Sequence, residues 1–169
     1  WCKKNKTNYI TLKNINSLTA INHLKTAVPD AVIYSGGGIL NSSFIAAANQ
    51  KIINNHSGPL PQIRGMNAVE LSILLGYKPA ITIHKIDRGI DTGEIISKKN
   101  LSFNNNESIE SIREIAVMEG VIELVRLLDG LEDISNLKTT KNESHNAGRQ
   151  CFIMAPALKE LLEKKLQGN

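Results

Sequence analysis

The stretch "NQKIINNHSGPLPQIRG", residues 49–65, runs an apolar pair, Ile52–Ile53, straight into Asn54, Asn55 and His56. Glycine and two prolines then turn the chain. Side chains alternate faces along a strand, so Asn54 and His56 would share one face and Asn55 would point to the other. A carboxamide N–H can stabilise an oxyanion. An imidazole titrates near neutrality and can move a proton. Together they suit attack on a carbonyl-like carbon through a tetrahedral intermediate. The same two residues could instead satisfy backbone groups of the following loop, and the pair alone leaves both readings open.

A second cluster, "IDRGIDTG" (86–93), offers two carboxylates, Asp87 and Asp91, in a glycine-containing loop. A carboxylate beside His56 would orient the ring and raise its pKa. Turn formation by Asp-Arg-Gly and Asp-Thr-Gly is the competing reading. Asp91-Thr92-Gly93 also matches the aspartic protease tripeptide, which works as a pair of aspartates across a dimer or pseudo-dimer. It occurs once here, and the helical pattern downstream argues against that fold. "SGGGIL" (35–40) lacks the lysine of a phosphate-binding loop and the third glycine of a dinucleotide loop. Consecutive glycines would still let a flat ligand approach the backbone. His84, inside "AITIHKI", reads as a packed strand histidine. The four histidines have no metal-ligand spacing, so no metal is expected. Cys151 reads as a small buried apolar residue.

The elements that would position these residues alternate. Strands are expected at 8–12, 31–35, 51–55, 80–86 and 94–103. Helices are expected at 17–28 with Ser17 as cap, at 42–50 with a serine cap, at 66–76, at 107–130 and at 156–166 with Pro156 in its first turn. Residues 131–150 read as loop. This alternation implies an α/β fold with helices flanking a mostly parallel sheet. Function in such folds sits in loops at the carboxyl ends of strands, where Gly36–Gly38, Asn54–His56 and Asp87–Asp91 fall.

The 169 residues suit one domain with a substantial core. Hydrophobic residues make up 41% and charged residues 21%, an ordinary globular balance. No apolar run reaches the length of a membrane span, and the basic "WCKKNKTN" start has no apolar segment after it, so no secretory leader is expected. Two cysteines build no disulfide framework, and a cytoplasmic location is expected. The net charge of +4 comes mostly from lysines near the two ends, and aromatics are only 4%, which leaves no base-stacking platform. An anionic small molecule fits this balance as well as a nucleic acid does.

Taken in order, these clusters resemble the folate-dependent formyltransferase family, which includes methionyl-tRNA formyltransferase, glycinamide ribonucleotide transformylase and the sugar N-formyltransferases. The family motif is a strand ending Asn-x-His, then Ser and Leu-Pro, commonly Arg-Gly, and later Asp-x-Gly or Asp-Thr-Gly after a Thr-containing strand. Here the matching segments are "NNHSGPLPQIRG" and "ITIHKIDRGIDTG", with His56 and Asp91 35 residues apart. The resemblance implies a Rossmann-like formyltransferase fold, the cofactor 10-formyl-tetrahydrofolate and a primary amine acceptor. It makes Asn54, His56 and Asp91 the catalytic triad, with Asn54 and a protonated His56 on the oxyanion and Asp91 fixing His56 and supporting proton transfer. It also places Gly38, Ile39 and Leu40 against the pterin, with Asp87 and Ile90 on the loop closing the other side.

The sequence departs from the family at Ser57-Gly58-Pro59-Leu60-Pro61, where Ser-Leu-Leu-Pro is usual. Only 28 residues precede Pro29, and the first is Trp, so the expectation is a single catalytic domain whose N-terminal βαβ unit is missing or shortened. No counterpart of the tRNA formyltransferase's C-terminal domain is seen. The lack of that domain, and Leu-Pro-x-x-Arg-Gly followed by "IDRGIDTG", favour a small amine acceptor, a nucleotide-linked amino sugar first, with methionyl-tRNA next; a homodimer is compatible. The rival classes are a hydrolase that releases formate from the same cofactor and a silent folate-binding module.

Overall fold

The computed structural model describes residues 4–36, 38–104, 106–143 and 148–168. Gly37 and His145 therefore lie outside the described residues. The order of elements is α1 (Leu18–Ala27), β1 (Val32–Tyr34), α2 (Ser42–Ala47), β2 (Ile52–His56), β3 (Ile63–Gly65), α3 (Ala68–Leu74), β4 (Ala80–Lys85), β5 (Ile95–Asn100), α4 (Ile109–Leu128), a 3-10 turn at Ile134–Asn136, β6 (Arg149–Cys151) and α5 (Pro156–Leu166). No helix among them is long and apolar enough to cross a membrane.

Local chemistry sets the helix starts. Ser17 and Ser108 accept hydrogen bonds from Ala20 N and Ser111 N as caps. The cap of α2 is Asn41, one residue earlier than expected, with its side chain accepting from Phe44 N at 2.8 Å.

A four-stranded sheet runs in the order β1-β2-β4-β5. The α/β class and the flanking helices stand as expected, but the sheet is not mostly parallel. β1 pairs parallel with β2, while β2–β4 and β4–β5 are antiparallel. A short loop joins β4 to β5, and such a connection permits only an antiparallel pair. β3 and β6 form a separate parallel ribbon that the sequence pattern did not reveal, and β6 begins at the end of the stretch 131–150 read as loop. Residues 8–12, expected as a strand, take no regular structure.

β2 divides the core by alternation. Ile52 joins Ile21, Leu24, Phe44 and Ile45 beneath α1 and α2. Ile53 joins Ile81, Ile83, Ile112 and Ala116 beneath α4. Asn54 and His56 follow Ile52, and Asn55 follows Ile53 toward α4. There the Asn55 amide stands directly over Gly120, where an added Cβ would come within 1.9 Å of it.

Gly120→Ala is thus a test of this packing. Helix propensity alone would stabilise the protein by about 1 kcal/mol, whereas overpacking costs about 1–3 kcal/mol. Thermal unfolding should show a net loss; a gain would place the Asn55 amide away from α4.

Candidate active site

Cross-strand pairing assembles the site. Asn54 on β2 lies opposite His84 on β4, and His56 lies opposite Thr82. Thr82 faces the turn that follows β2: its hydroxyl donates to Gly58 O at 2.7 Å and accepts from Leu60 N at 3.2 Å. Gly58, where the sequence departs from the family pattern, allows a close approach. A Cβ there would sit 2.5 Å from the Ala68 Cβ and 2.7 Å from His56 Nε2.

The β4–β5 loop brings in the carboxylate. The Asp87 side chain is used by the loop itself, accepting from Gly89 N at 3.0 Å and Thr92 Oγ1 at 2.6 Å. Asp91 turns the other way. Its backbone is left-handed, φ 52°. Its Oδ2 accepts Gly65 N–H at 2.7 Å and lies 3.4 Å from His56 Nδ1, while Oδ1 lies 3.5 Å from His84 Nε2. The Asn142 amide holds the loop by donating to Asp91 O and Gly93 O, both at 3.0 Å. Arg64, beside Gly65, bonds Ile90 O at 3.4 Å. Gly65 has φ 91°, and a Cβ on it would strike Cys151 O at 2.2 Å, so β3 and β6 can close only around a glycine.

Asn54, His56 and Asp91 are therefore brought together, and Asn55 is excluded. His84 is packed, 1% exposed, as its pattern implied. Its partners, however, are site residues. Its Nδ1 lies 2.7 Å from Lys85 O, which makes it the donor and leaves Nε2 to accept from Asn54 Nδ2 at 3.1 Å. The Asn54 amide is thereby oriented. A lone histidine in a β-branched strand gives no signal of this, and neither does Asn142 in a polar stretch.

The electrostatics correct one expectation. His56 titrates below its usual value, not above it. Burial of the 5%-exposed ring dominates and His84 adds to it, while Asp91 and the Ile63 carbonyl oppose it. Burial pushes Asp91 upward, but the neighbouring His84 ring, His56 and the Gly65 N–H outweigh it and hold its carboxyl at about 2.

The other expected site residues line one cavity of about 140 Å³: Gly38, Ile39, Leu40, Asp87 and Ile90, with Asn54 and Asp91 at its end. Leu40 is also part of the core, while Ile39 is largely exposed. Asn16 fixes this loop from a distance, donating to Ile39 O and accepting from Asn41 N, both at 2.8 Å. Tyr34 donates its hydroxyl to Gly38 O. A larger cavity of about 560 Å³ shares Ile86, Asp87 and Arg88 with the first and adds Ile45 and Ala46.

Residues 6–127 match the family described as formyl transferase, and the chain belongs to that family. It is similar to methionyl-tRNA formyltransferase of Finegoldia magna, 25% identical over 137 residues, covering 80% of this chain and 44% of that protein. It is similar to phosphoribosylglycinamide formyltransferase of Bacillus subtilis, 35% identical over 77 residues, 45% of this chain and 40% of that one. The chain thus spans less than half the length of these relatives. Its fold is similar to that of the formyltransferase PseJ from Anoxybacillus kamchatkensis, solved with UDP-4,6-dideoxy-4-formamido-L-AltNAc and tetrahydrofolate. That likeness has a TM-score of 0.68 at 20% identity, covering 95% of this chain and 86% of that one.

The charge pattern predicts the acid response. His56 is depressed, so its burial removes stability as pH falls below about 6.5. Asp91 is depressed too, so the stability it contributes is present above about 4 and is lost as pH falls toward its folded value of about 2. In an NMR titration, Asp91→Asn should move the His56 pKa further down, because the carboxylate opposes burial. An upward move would uncouple the two groups.

Proposed function

We propose that this chain transfers a formyl group from 10-formyl-tetrahydrofolate to a primary amine, with Asn54, His56 and Asp91 as the reacting groups. One observation carries the reading: Asn54 and Asp91 stand at the end of the cavity lined by the Gly38–Leu40 segment and the 87–91 loop, and His56 lies 3.4 Å behind Asp91. The residues present fit a flat folate ring. Ile45 and Ile86 provide apolar surface, and Gly38, with φ 98° and open space at its Cβ position, leaves its backbone bare.

Bound there, the cofactor supplies an activated formyl carbon. The Asn54 amide, held by His84, offers an N–H to charge developing on the carbonyl oxygen. His56 is neutral at pH 7, since its pKa is depressed, and so is ready to take the proton that the attacking amine loses. Asp91 and the Ile63 carbonyl face its two ring nitrogens, at 3.4 and 3.0 Å, and hold the imidazolium that results. As the bond from the formyl carbon to the cofactor nitrogen breaks, the His56 imidazolium would return its proton to that leaving nitrogen. Asp91 remains a carboxylate throughout.

A nucleotide-linked amino sugar is the acceptor we favour. The likeness to a formyltransferase solved with a UDP-linked formamido sugar supports it. Methionyl-tRNA is the second reading, supported by the similarity to the Finegoldia magna protein.

Formyl transfer followed by mass spectrometry of the amine product tests this. His56→Ala should lower turnover by about 10²–10⁴; near-normal rates would remove His56 from its role. Asn54→Ala should cost far more activity than Asn55→Ala, and the reverse ranking would refute the assignment of faces. Formate released at the same rate with and without amine would mark a hydrolase instead.

A further inference from the structure

A transfer between two substrates needs an approach for the second one. Such an approach lies beyond the end of β2, between α3 and α4: a cavity of about 270 Å³ whose wall includes His56, Ser57 and Gly65. It shares no lining residue with the cavities assigned to folate. Its far wall is an ion pair. Glu70 is 2% exposed and accepts Arg113 Nε at 2.5 Å and Asn67 Nδ2 at 2.8 Å. Arg113 itself is 45% exposed, and its Nη groups bond no acceptor among the described residues. Glu110, the other nearby acid, is paired with Lys159 at 3.6 Å.

A buried carboxylate is a poor way to gain stability alone. It is an effective way to lock one edge of a guanidinium so that the other edge faces a ligand. That free edge has the fork geometry that binds two oxygens of a phosphoryl group, and Ser57 belongs to the same wall. We propose that Arg113, held by Glu70, anchors a phosphoryl group of the amine acceptor in this cavity beside His56. The role as acceptor site rests on the formyl-transfer reading above; the anion site itself does not.

The experiment is a calorimetric titration of the full chain with inorganic pyrophosphate. Removing Arg113 alone would strand Glu70 without its cation, so the variant is the double substitution Glu70→Gln and Arg113→Gln, which retains shape and hydrogen-bonding groups. Lys25→Gln, on α1 beneath the opposite face of the sheet, is the control. Wild type and control should bind saturably with equal affinity, and the double variant at least tenfold more weakly with its melting temperature recorded beside it. Absent binding in the wild type, or equal binding in a folded double variant, overturns the proposal. In transfer assays the double variant should raise the KM of a phosphorylated amine at least tenfold and leave that of 10-formyl-tetrahydrofolate unchanged. Pyrophosphate binding lost in the double variant, with no formyl transfer by any form, would sink the transfer reading and leave the anion site standing.

Discussion

One carboxylate, Asp91, draws together segments that are distant in sequence. It accepts the Gly65 N–H and lies within 3.5 Å of both His56 and His84. A charge this enclosed persists only where hydrogen-bond donors reach it. Much of the surrounding structure meets that need. Gly65 can present its N–H because β3 runs against β6 at a distance only glycine tolerates. Arg64 and Asn142 grip backbone carbonyls on either side of Asp91, which keeps a left-handed aspartate in place. The carboxylate can then orient His56 without being neutralised by it.

The second organising constraint is the two-residue period of β2. Its sequence Ile-Ile-Asn-Asn-His places one isoleucine in each half of the core and then one asparagine on each side. Asn54 reaches the cavity and His84; Asn55 lies against Gly120. A slip of one residue would exchange the two sets and bury the imidazole under α4. The apolar pair before the site is what prevents that slip, since Ile52 and Ile53 are 0% and 1% exposed in opposite clusters.

These features explain what the sequence made legible. Strand alternation is local, so the pairing of Asn54 with His56 and the exclusion of Asn55 could be read directly. Capped amphipathic helices were equally readable; α5 begins and ends where its Pro156 and its periodicity place it. What escaped depends on neighbours that periodicity does not encode. β3 and β6 are three residues each and contain Arg, Gly and Gln, too short to alternate. Residues 8–12 have a strand's composition but no partner. Parallel or antiparallel pairing depends on where connections run. The role of His84 depends on register with β2, and the direction of the His56 shift on burial outweighing its carboxylate.

That reversal bears on how the site can work. Each nitrogen of the His56 ring faces an oxygen, Asp91 Oδ2 on one side and the Ile63 carbonyl on the other. A neutral imidazole can donate to only one of them. Burial nevertheless keeps the resting ring neutral. The pocket therefore holds a base whose protonated form already has both of its partners in position. Proton capture completes a hydrogen bond that the resting state leaves unmade, and the surroundings need not rearrange to receive the charge. A histidine already protonated at rest would begin with that advantage spent and could accept no further proton. On the proposed reading, the burial that a pattern of residue types cannot report is thus what lets His56 accept a proton rather than stand as a fixed positive charge.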